Sequence, residues 1–280
     1  MDINAVLISM ASMGGLGALF SAGLSIANKK LYVEEDPRIA QVIENLPGVN
    51  CGGCGLPGCA AFAESVVKGE SEVTGCPVNS SEGAQLIAEI MGVEAAETER
   101  MLARVICQGG DYETAKKGEY LGPKNCLAAT FAGGGEKLCQ WGCIGFGDCV
   151  EACPFDAMYM NKNGLPVVID DKCTGCGNCV DACPRDIMEL HPESHKVFVL
   201  CKSQDPPKEA RQTCIRACVG CNLCIRMVKE GQMVLKDNLA VIDYDVYGKE
   251  PVLPTDRCPT DGLVVIDSTT KKEEKIAESA

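Results

Sequence analysis

With 280 residues and a formal net charge of −13, the chain carries no basic footprint, which excludes nucleic acid as a partner. Aromatic residues make up 5% and glycines number 30, a composition that favours small, loop-rich units over one large core. Twenty cysteines against two histidines point to thiolate-bound metal and away from His-rich zinc or two-His-carboxylate iron sites.

From Ile3 to Asn28 there is no charged residue. A helix needs about 20 residues to cross a hydrocarbon core, so residues 1–30 are predicted to form a transmembrane helix. A cleaved signal peptide would want a positive start, whereas this chain begins Met1-Asp2, so the span is read as retained. Lys29 and Lys30 follow the apolar run. The positive-inside tendency then predicts a single pass through the cell (inner) membrane, with the following residues cytoplasmic. Reduced cysteines persist in that compartment. Gly14, Ala18 and Ala22 fall at i, i+4 and i+8, with Ala11 and Gly15 as a parallel pair. Such rows let helix backbones approach closely in lipid, which favours docking against other membrane subunits.

Residues 31–91 are read as a small helical 4Fe-4S domain. They contain Cys51-Gly-Gly-Cys54-Gly-Leu-Pro-Gly-Cys59 and then Cys76-Pro77. The glycines suit a backbone that must wrap closely around a bulky inorganic group. Ala60 to Lys68 is predicted to be a helix stopped by Gly69, returning the chain so that Cys76 closes the site. Gln85–Met91 and Glu97–Arg104 are expected to be helical packing and linker segments.

Two ferredoxin-like units of repeated β-loop-α design are expected next, over residues 92–198 (with a linker) and 199–265, before a charged tail over 266–280. The fold class is therefore α+β. Cys173-x2-Cys176-x2-Cys179-x3-Cys183-Pro184 has the bacterial ferredoxin spacing, in which three close thiolates hold one cube and the fourth serves its neighbour. Val105-Ile-Cys107 matches Val199-Leu-Cys201, and Cys139-x3-Cys143-x2-Phe146-x2-Cys149 matches Cys214-x3-Cys218-x2-Cys221-x2-Cys224. Asn163 to Asp170 likewise matches Asn238 to Asp243, as strand-like segments.

In the second half Val228 stands where Cys153 would fall and Val246 where Cys173 would. Gly248 to Pro254 offers no substitute for Cys176 or Cys179. The four lost cysteines are one cube's whole set. The four kept ones, Cys218, Cys221, Cys224 and Cys258, are the other's. In the first half Cys153, Cys173, Cys176 and Cys179 form one set. Cys143, Cys149 and Cys183 belong to the other, but Phe146 occupies the middle ligand's place. Cys139, near in sequence, is taken as the replacement. Cys126, the one cysteine with no counterpart in the other half, is the alternative. With Cys51, Cys54, Cys59 and Cys76 this makes four [4Fe-4S] clusters.

Cys107, Cys201 and Cys214 are left over and read as buried thiols, with tuning of a cluster through an S–H donor as a second role. Clustered C-x2-C runs are poorly placed for disulfides, and structural zinc prefers two separated C-x2-C pairs. His191 and His195 lie on a turn with Pro192, where helical four-residue spacing has no meaning, so they are not assigned to metal. Trp141, between Cys139 and Cys143, is read as a cluster shield.

The uncharged N-terminal span, the Cys51–Cys59 motif and Cys143-Ile-Gly-Phe-Gly-Asp-Cys149-Val-Glu-Ala-Cys153-Pro-Phe-Asp-Ala157, in that order, resemble the B subunit of Rnf-type membrane complexes. The resemblance covers nearly the whole chain except the extreme C-terminus. It implies an iron-sulfur electron-relay subunit of an ion-translocating ferredoxin:NAD oxidoreductase, a translocase. Ferredoxin would be the electron partner, and integral membrane subunits and flavin- and NADH-binding subunits the neighbours. No G-x-G-x-x-G opens a strand-to-helix turn, which agrees with a nicotinamide site elsewhere. The chain itself would do no bond chemistry. Two other readings stay open: an iron-sulfur subunit of a hydrogenase- or corrinoid-linked membrane enzyme, and a thiolate-zinc interaction module without redox role.

Overall fold

A computed structural model describes residues 3–31, 36–96, 99–248 and 255–266. The segment Lys249 to Pro254 and the charged tail from Asp267 onward lie outside the described residues, as does Glu97. Helix α1 spans Ile3–Leu31 without a break, with Lys29 and Lys30 in its last turn. Its described apolar side chains are all exposed, Met13 at 78% and Phe20 at 69%. A helix apolar all round belongs in lipid or deep in a core. None of its described residues belongs to a core of this chain.

Three helices follow. Helix α2 (Pro37–Glu44) begins with Pro at its first position, and the Asp36 carboxylate accepts from the Arg38 N–H at 2.9 Å. Helix α3 (Cys59–Lys68) stops at Gly69, whose φ of 76° is the left-handed conformation that glycine adopts freely. Helix α4 (Ser81–Met91) is capped by the Ser80 hydroxyl, which accepts from the Gly83 N–H at 3.0 Å. Their inward faces meet in a core of Val42, Leu46, Phe62, Ala63, Val66 and Ile87. Each large side chain buried there stabilises the unit by about 1.5–3 kcal/mol.

Strand β1 is Met101–Val105. The helix expected over Glu97–Arg104 is therefore corrected over its described part. Met-Leu-Ala-Arg favours helix locally, but pairing with a partner far along the chain buries Leu102, Ala103 and Arg104. Tertiary context overrides a weak local preference. Short helices α5 (Cys126–Phe131) and α6 (Asp148–Glu151) precede a hairpin of β2 (Met158–Met160) and β3 (Pro166–Val168). Helix α7 (Asn178–Asp181) then leads to β4 (Met188–Pro192), which pairs antiparallel with β1, Ala103 opposite Leu190.

The same nested order recurs. Strand β5 (Val197–Val199) is followed by α8 (Pro207–Thr213) and a 3-10 turn at Ile225–Met227. The hairpin of β6 (Met233–Lys236) and β7 (Leu239–Ile242), helix α9 (Tyr244–Tyr247) and β8 (Leu263–Val265) complete it. Strand β8 returns to β5 with Phe198 opposite Val264. Each nested unit has its own core, Leu102, Met158, Val168 and Met188 in the first and Val197, Met233, Ile242 and Leu263 in the second.

The two units are tied together by polar and aromatic contacts. The stretch from Glu113 to Lys117 lies between both: the Ala115 N–H donates to Thr213 O at 2.9 Å, and the Leu138 N–H donates to Ala115 O at 2.7 Å. Both histidines sit at this seam. His191 Nε2 is 2.9 Å from Glu189 Oε2 and its ring meets Phe198 edge-on at 5.0 Å, while His195 stacks on Tyr244 at 4.1 Å. Beneath them Arg104, 3% exposed, pairs with Asp170 at 2.8 Å.

Candidate metal-cluster sites

All twenty cysteines are free thiols, and the fold gathers them at separate places. At the first, Cys54, Cys59 and Cys76 pack on the helical core, Cys59 opening α3, and Cys51 precedes Cys54 in the same loop. Asn50 fixes the approach: its Oδ1 accepts from the Cys59 N–H at 2.8 Å. A Cβ at Gly58 would stand 2.8 Å from the same oxygen, so a side chain there would displace it. Burial pushes the Cys76 thiol up, against backbone N–H groups of Val78 and Asn79, with Cys54 and Cys59 close enough to push it further.

The second place holds Cys153, Cys173, Cys176 and Cys179. Burial first, and then Cys173, Cys176 and Cys153 nearby, push the Cys179 thiol up to about 12. The Ala103 N–H of β1 donates to Cys173 Sγ at 3.4 Å. Arg100 clamps the loop by donating to Asp170 O at 2.7 Å and Cys173 O at 2.8 Å. The loop also abuts the helical unit, since Asn178 Nδ2 donates to Cys51 O at 3.3 Å.

At the third, Cys126, Cys143, Cys149 and Cys183 line one cavity of about 340 Å³. The expected replacement, Cys139, is not among them and stands beside Cys107 and Cys214. The alternative, Cys126, is the one that lines this cavity. Asp148, the residue before Cys149, accepts from the Cys126 N–H at 2.8 Å and the Leu127 N–H at 3.2 Å, which docks the start of α5 at the cavity. Phe146 packs beside Cys126 and turns its ring to Tyr120, centroids 5.5 Å apart. Burial, then Cys183 and Cys126, push the Cys149 thiol up to about 12.

The fourth cavity, about 480 Å³, is lined by Cys218, Cys221, Cys224 and Cys258. The Gly262 N–H donates to Cys258 Sγ at 3.2 Å. Burial and then Cys218 push the Cys224 thiol up to about 11. Val228, at the position matching Cys153, packs on the core of this unit, so an apolar contact stands where a ligand would.

These donor sets fit cubane clusters better than single ions. A tetrahedral zinc with Zn–S near 2.3 Å needs sulfurs only about 3.8 Å apart. Among the described residues no three His, Cys, Asp or Glu side chains converge so tightly on one ion. Thiolate-only donors, backbone N–H groups aimed at sulfur and enclosed space for a larger body are what an iron-sulfur cube requires. The raised thiols show what loading must overcome: each ligand gives up its proton as the metal takes its place.

Known proteins agree with this chemistry. A family model described as "Putative Fe-S cluster" matches residues 46–78, and one described as "4Fe-4S dicluster domain" matches residues 142–188. The chain is 43% identical over 92% of its length to the B subunit of the Na(+)-translocating ferredoxin:NAD(+) oxidoreductase complex of Acetobacterium woodii, covering 77% of that protein. It is 41% identical over 87% of its length to the B subunit of the ion-translocating oxidoreductase complex of Methanosarcina acetivorans, covering 92% of it. Against the B subunit of the proton-translocating ferredoxin:NAD(+) oxidoreductase complex of Clostridium ljungdahlii, identity is 36% over 99% of both chains. Likeness at this level, running from the apolar helix through every cysteine-bearing segment, places the chain in the family of B subunits of ion-translocating, Rnf-type ferredoxin:NAD oxidoreductase complexes.

Proposed function

We propose that this chain is the iron-sulfur relay subunit of a membrane-bound ion-translocating ferredoxin:NAD oxidoreductase. It would exchange electrons with ferredoxin on the cytoplasmic side and pass them to membrane-embedded partners. The flavin and nicotinamide sites are assigned to other subunits. Four [4Fe-4S] clusters, when bound, supply one-electron carriers in a protein with no catalytic acid or base to contribute. The four ligand sets are Cys51, Cys54, Cys59 and Cys76; Cys153, Cys173, Cys176 and Cys179; Cys126, Cys143, Cys149 and Cys183; and Cys218, Cys221, Cys224 and Cys258.

The observation that carries the reading is the gathering of cysteines distant in sequence into separate groups. The protein's own part is to hold and tune. Backbone N–H groups of Ala103 and Gly262 point at Cys173 and Cys258, and such bonds raise the potential of the iron they serve. Cys126, Cys143, Cys149, Cys173 and Cys179 are buried, which keeps water from those sulfurs, whereas Cys221 is exposed. Helix α1 anchors the assembly, its small-residue rows facing neighbouring membrane helices, with the cysteine-bearing part in the cytoplasm.

The test is anaerobic purification of the native complex through a tag on this chain. Bound flavin subunits, NADH oxidation coupled to ferredoxin, and cluster signals assigned to this chain are expected. A hydrogenase or corrinoid protein as the co-purifying partner would overturn the assignment, and a colourless chain loaded with zinc would overturn the redox reading altogether.

A further inference from the structure

The four cysteines outside those sets come together. Cys107, Cys139, Cys201 and Cys214 line one cavity of about 380 Å³, intermediate in size between the third and fourth cavities. Two come from each nested unit, and they are equivalent positions of the internal repeat. We propose that Cys107, Cys139, Cys201 and Cys214 ligate a fifth [4Fe-4S] cluster held across the seam between the two units. The inference rests on the reading of the other quartets as cluster sites.

The backbone treats the two halves of this site alike. Cys107 Sγ accepts from the Gly109 N–H at 3.3 Å and from the Cys143 N–H at 3.4 Å. Cys201 Sγ accepts from the Ser203 N–H at 3.4 Å and from the Cys218 N–H at 3.3 Å. In both halves the donors are the residue two positions on and a cysteine of the adjoining set, Cys143 or Cys218, at matching positions of the repeat. Cys214 is fixed by a β-bridge between its backbone and Thr114, so the second unit's ligand is held by the first unit's chain.

Space is kept open between the sulfurs. A Cβ at Gly142 would lie 3.2 Å from Cys139 Sγ and 3.3 Å from Cys107 Sγ, and one at Gly109 would lie 3.3 Å from Cys214 Sγ. Any side chain at either glycine would intrude on the sulfurs. Trp141 closes the outer wall, its indole N–H donating to Asp205 Oδ1 at 2.9 Å across the seam.

Two buried groups, Thr114 in the lining and Lys137 bonded to the lining residue Gly109, lack the partner that an anionic sulfur cluster would provide. Thr114, 5% exposed and lining the cavity, has a hydroxyl with no hydrogen-bond partner. Lys137 is 3% exposed, and its ammonium donates to Gly109 O at 3.2 Å. Among the described residues no carboxylate pairs with it. Burial pushes the Cys107 and Cys143 thiols up, and Lys137 lies close enough to both to oppose that in part. A buried cation without a counter-charge is costly, and four thiolates around a cube supply one.

The position gives the site a task. Cys143 and Cys218, whose N–H groups bond its sulfurs, are ligands of the third and fourth sets. A cluster held by these four cysteines would lie between the two sets and would supply a one-electron carrier there, reduced by one neighbour and oxidised by the other.

Metal analysis of the anaerobically purified full chain tests this without any activity assay. Wild type is expected to hold about twenty irons and twenty acid-labile sulfides, and Cys107→Ala and Cys201→Ala about sixteen irons each. A wild-type count of about sixteen irons, with one zinc or with these four thiols open to alkylation or joined as disulfides, overturns the fifth site and leaves the other four standing. If the alanine variants fail to fold, the wild-type count alone decides. A chain free of iron overturns the relay reading as well.

Discussion

Cys126 and Cys139 separate what spacing can show from what only the fold can. Cys139 is four residues from Cys143, yet the short loop turns its sulfur toward Cys107, with Gly142 between them. Cys126 is farther away in sequence, but Asp148 holds its backbone at the cavity of Cys149. Side chains of one site are non-additive, whereas separate sites add. Cys126→Ala is expected to lose about four irons, Cys126→Ala with Cys143→Ala no more than that, and Cys126→Ala with Cys139→Ala about eight. Iron and sulfide counts on the three proteins check this; equal losses in both double variants would place Cys139 with Cys143 after all. A second residue-scale test concerns the buried pair at the seam. Asp170→Asn leaves the Arg104 guanidinium without its charge partner while 3% exposed. Breaking such a pair costs about 3–5 kcal/mol. A lowered unfolding midpoint is expected, together with weaker retention of the cluster on the Cys173 loop, which the same region clamps through Arg100. An unchanged midpoint would mean that Arg104 finds a substitute.

Gly175 in a cluster loop and Gly69 at a helix end differ in what a side chain would meet, and the difference is measurable. Gly175, in the turn between Cys173 and Cys176, has a φ of 68°, and a Cβ there would stand 2.6 Å from Met101 O of β1. Gly69, ending α3, has a φ of 76° with nothing within 4 Å of an added Cβ. Gly69→Ala therefore meets only left-handed strain, about 1–2 kcal/mol, and should keep every iron. Gly175→Ala meets strain and a backbone clash together, so it should shed about four irons or lose β1 pairing. Iron counts and thermal melts side by side check the contrast, and equal effects would show that β1 yields easily. The same elements show how far the sequence could be read. The local C-x2-C runs, the Gly69 stop and the repeat were legible because their signals lie within a few residues. Strand β1 was not, because its partner β4 lies almost a whole unit away. Nor was Cys126, which reaches its cavity only through the stretch between β1 and α6.

Seen whole, the molecule is a series of sites that touch in order. The helical unit meets the Cys173 loop where a Cβ on Gly53 would stand 2.6 Å from Cys176 O, and Asn178 bonds Cys51 O. Cys149 of the next set lies close enough to influence Cys179. Beyond it the seam leads to the second nested unit through Cys143 and Cys218. Against this chain of contacts α1 stands apart: its described side chains enter none of the cores, and Leu24 near its C-terminal end is still 71% exposed. Cluster retention and membrane attachment should therefore be separable properties. A chain starting at Asp36 keeps every cysteine and every core and loses the apolar helix with the short stretch that follows it. Its iron count per chain and its thermal melt are expected to match those of the full chain, while it moves from the membrane fraction to the soluble one. Binding to the integral subunits should weaken by at least tenfold, because packing of small residues against neighbouring helices is removed. Sedimentation, iron analysis and a pull-down with the membrane subunits check the three parts. Loss of iron on truncation would mean that α1 braces the cluster-bearing units, and persistence in the membrane fraction would place the main anchor elsewhere on the chain.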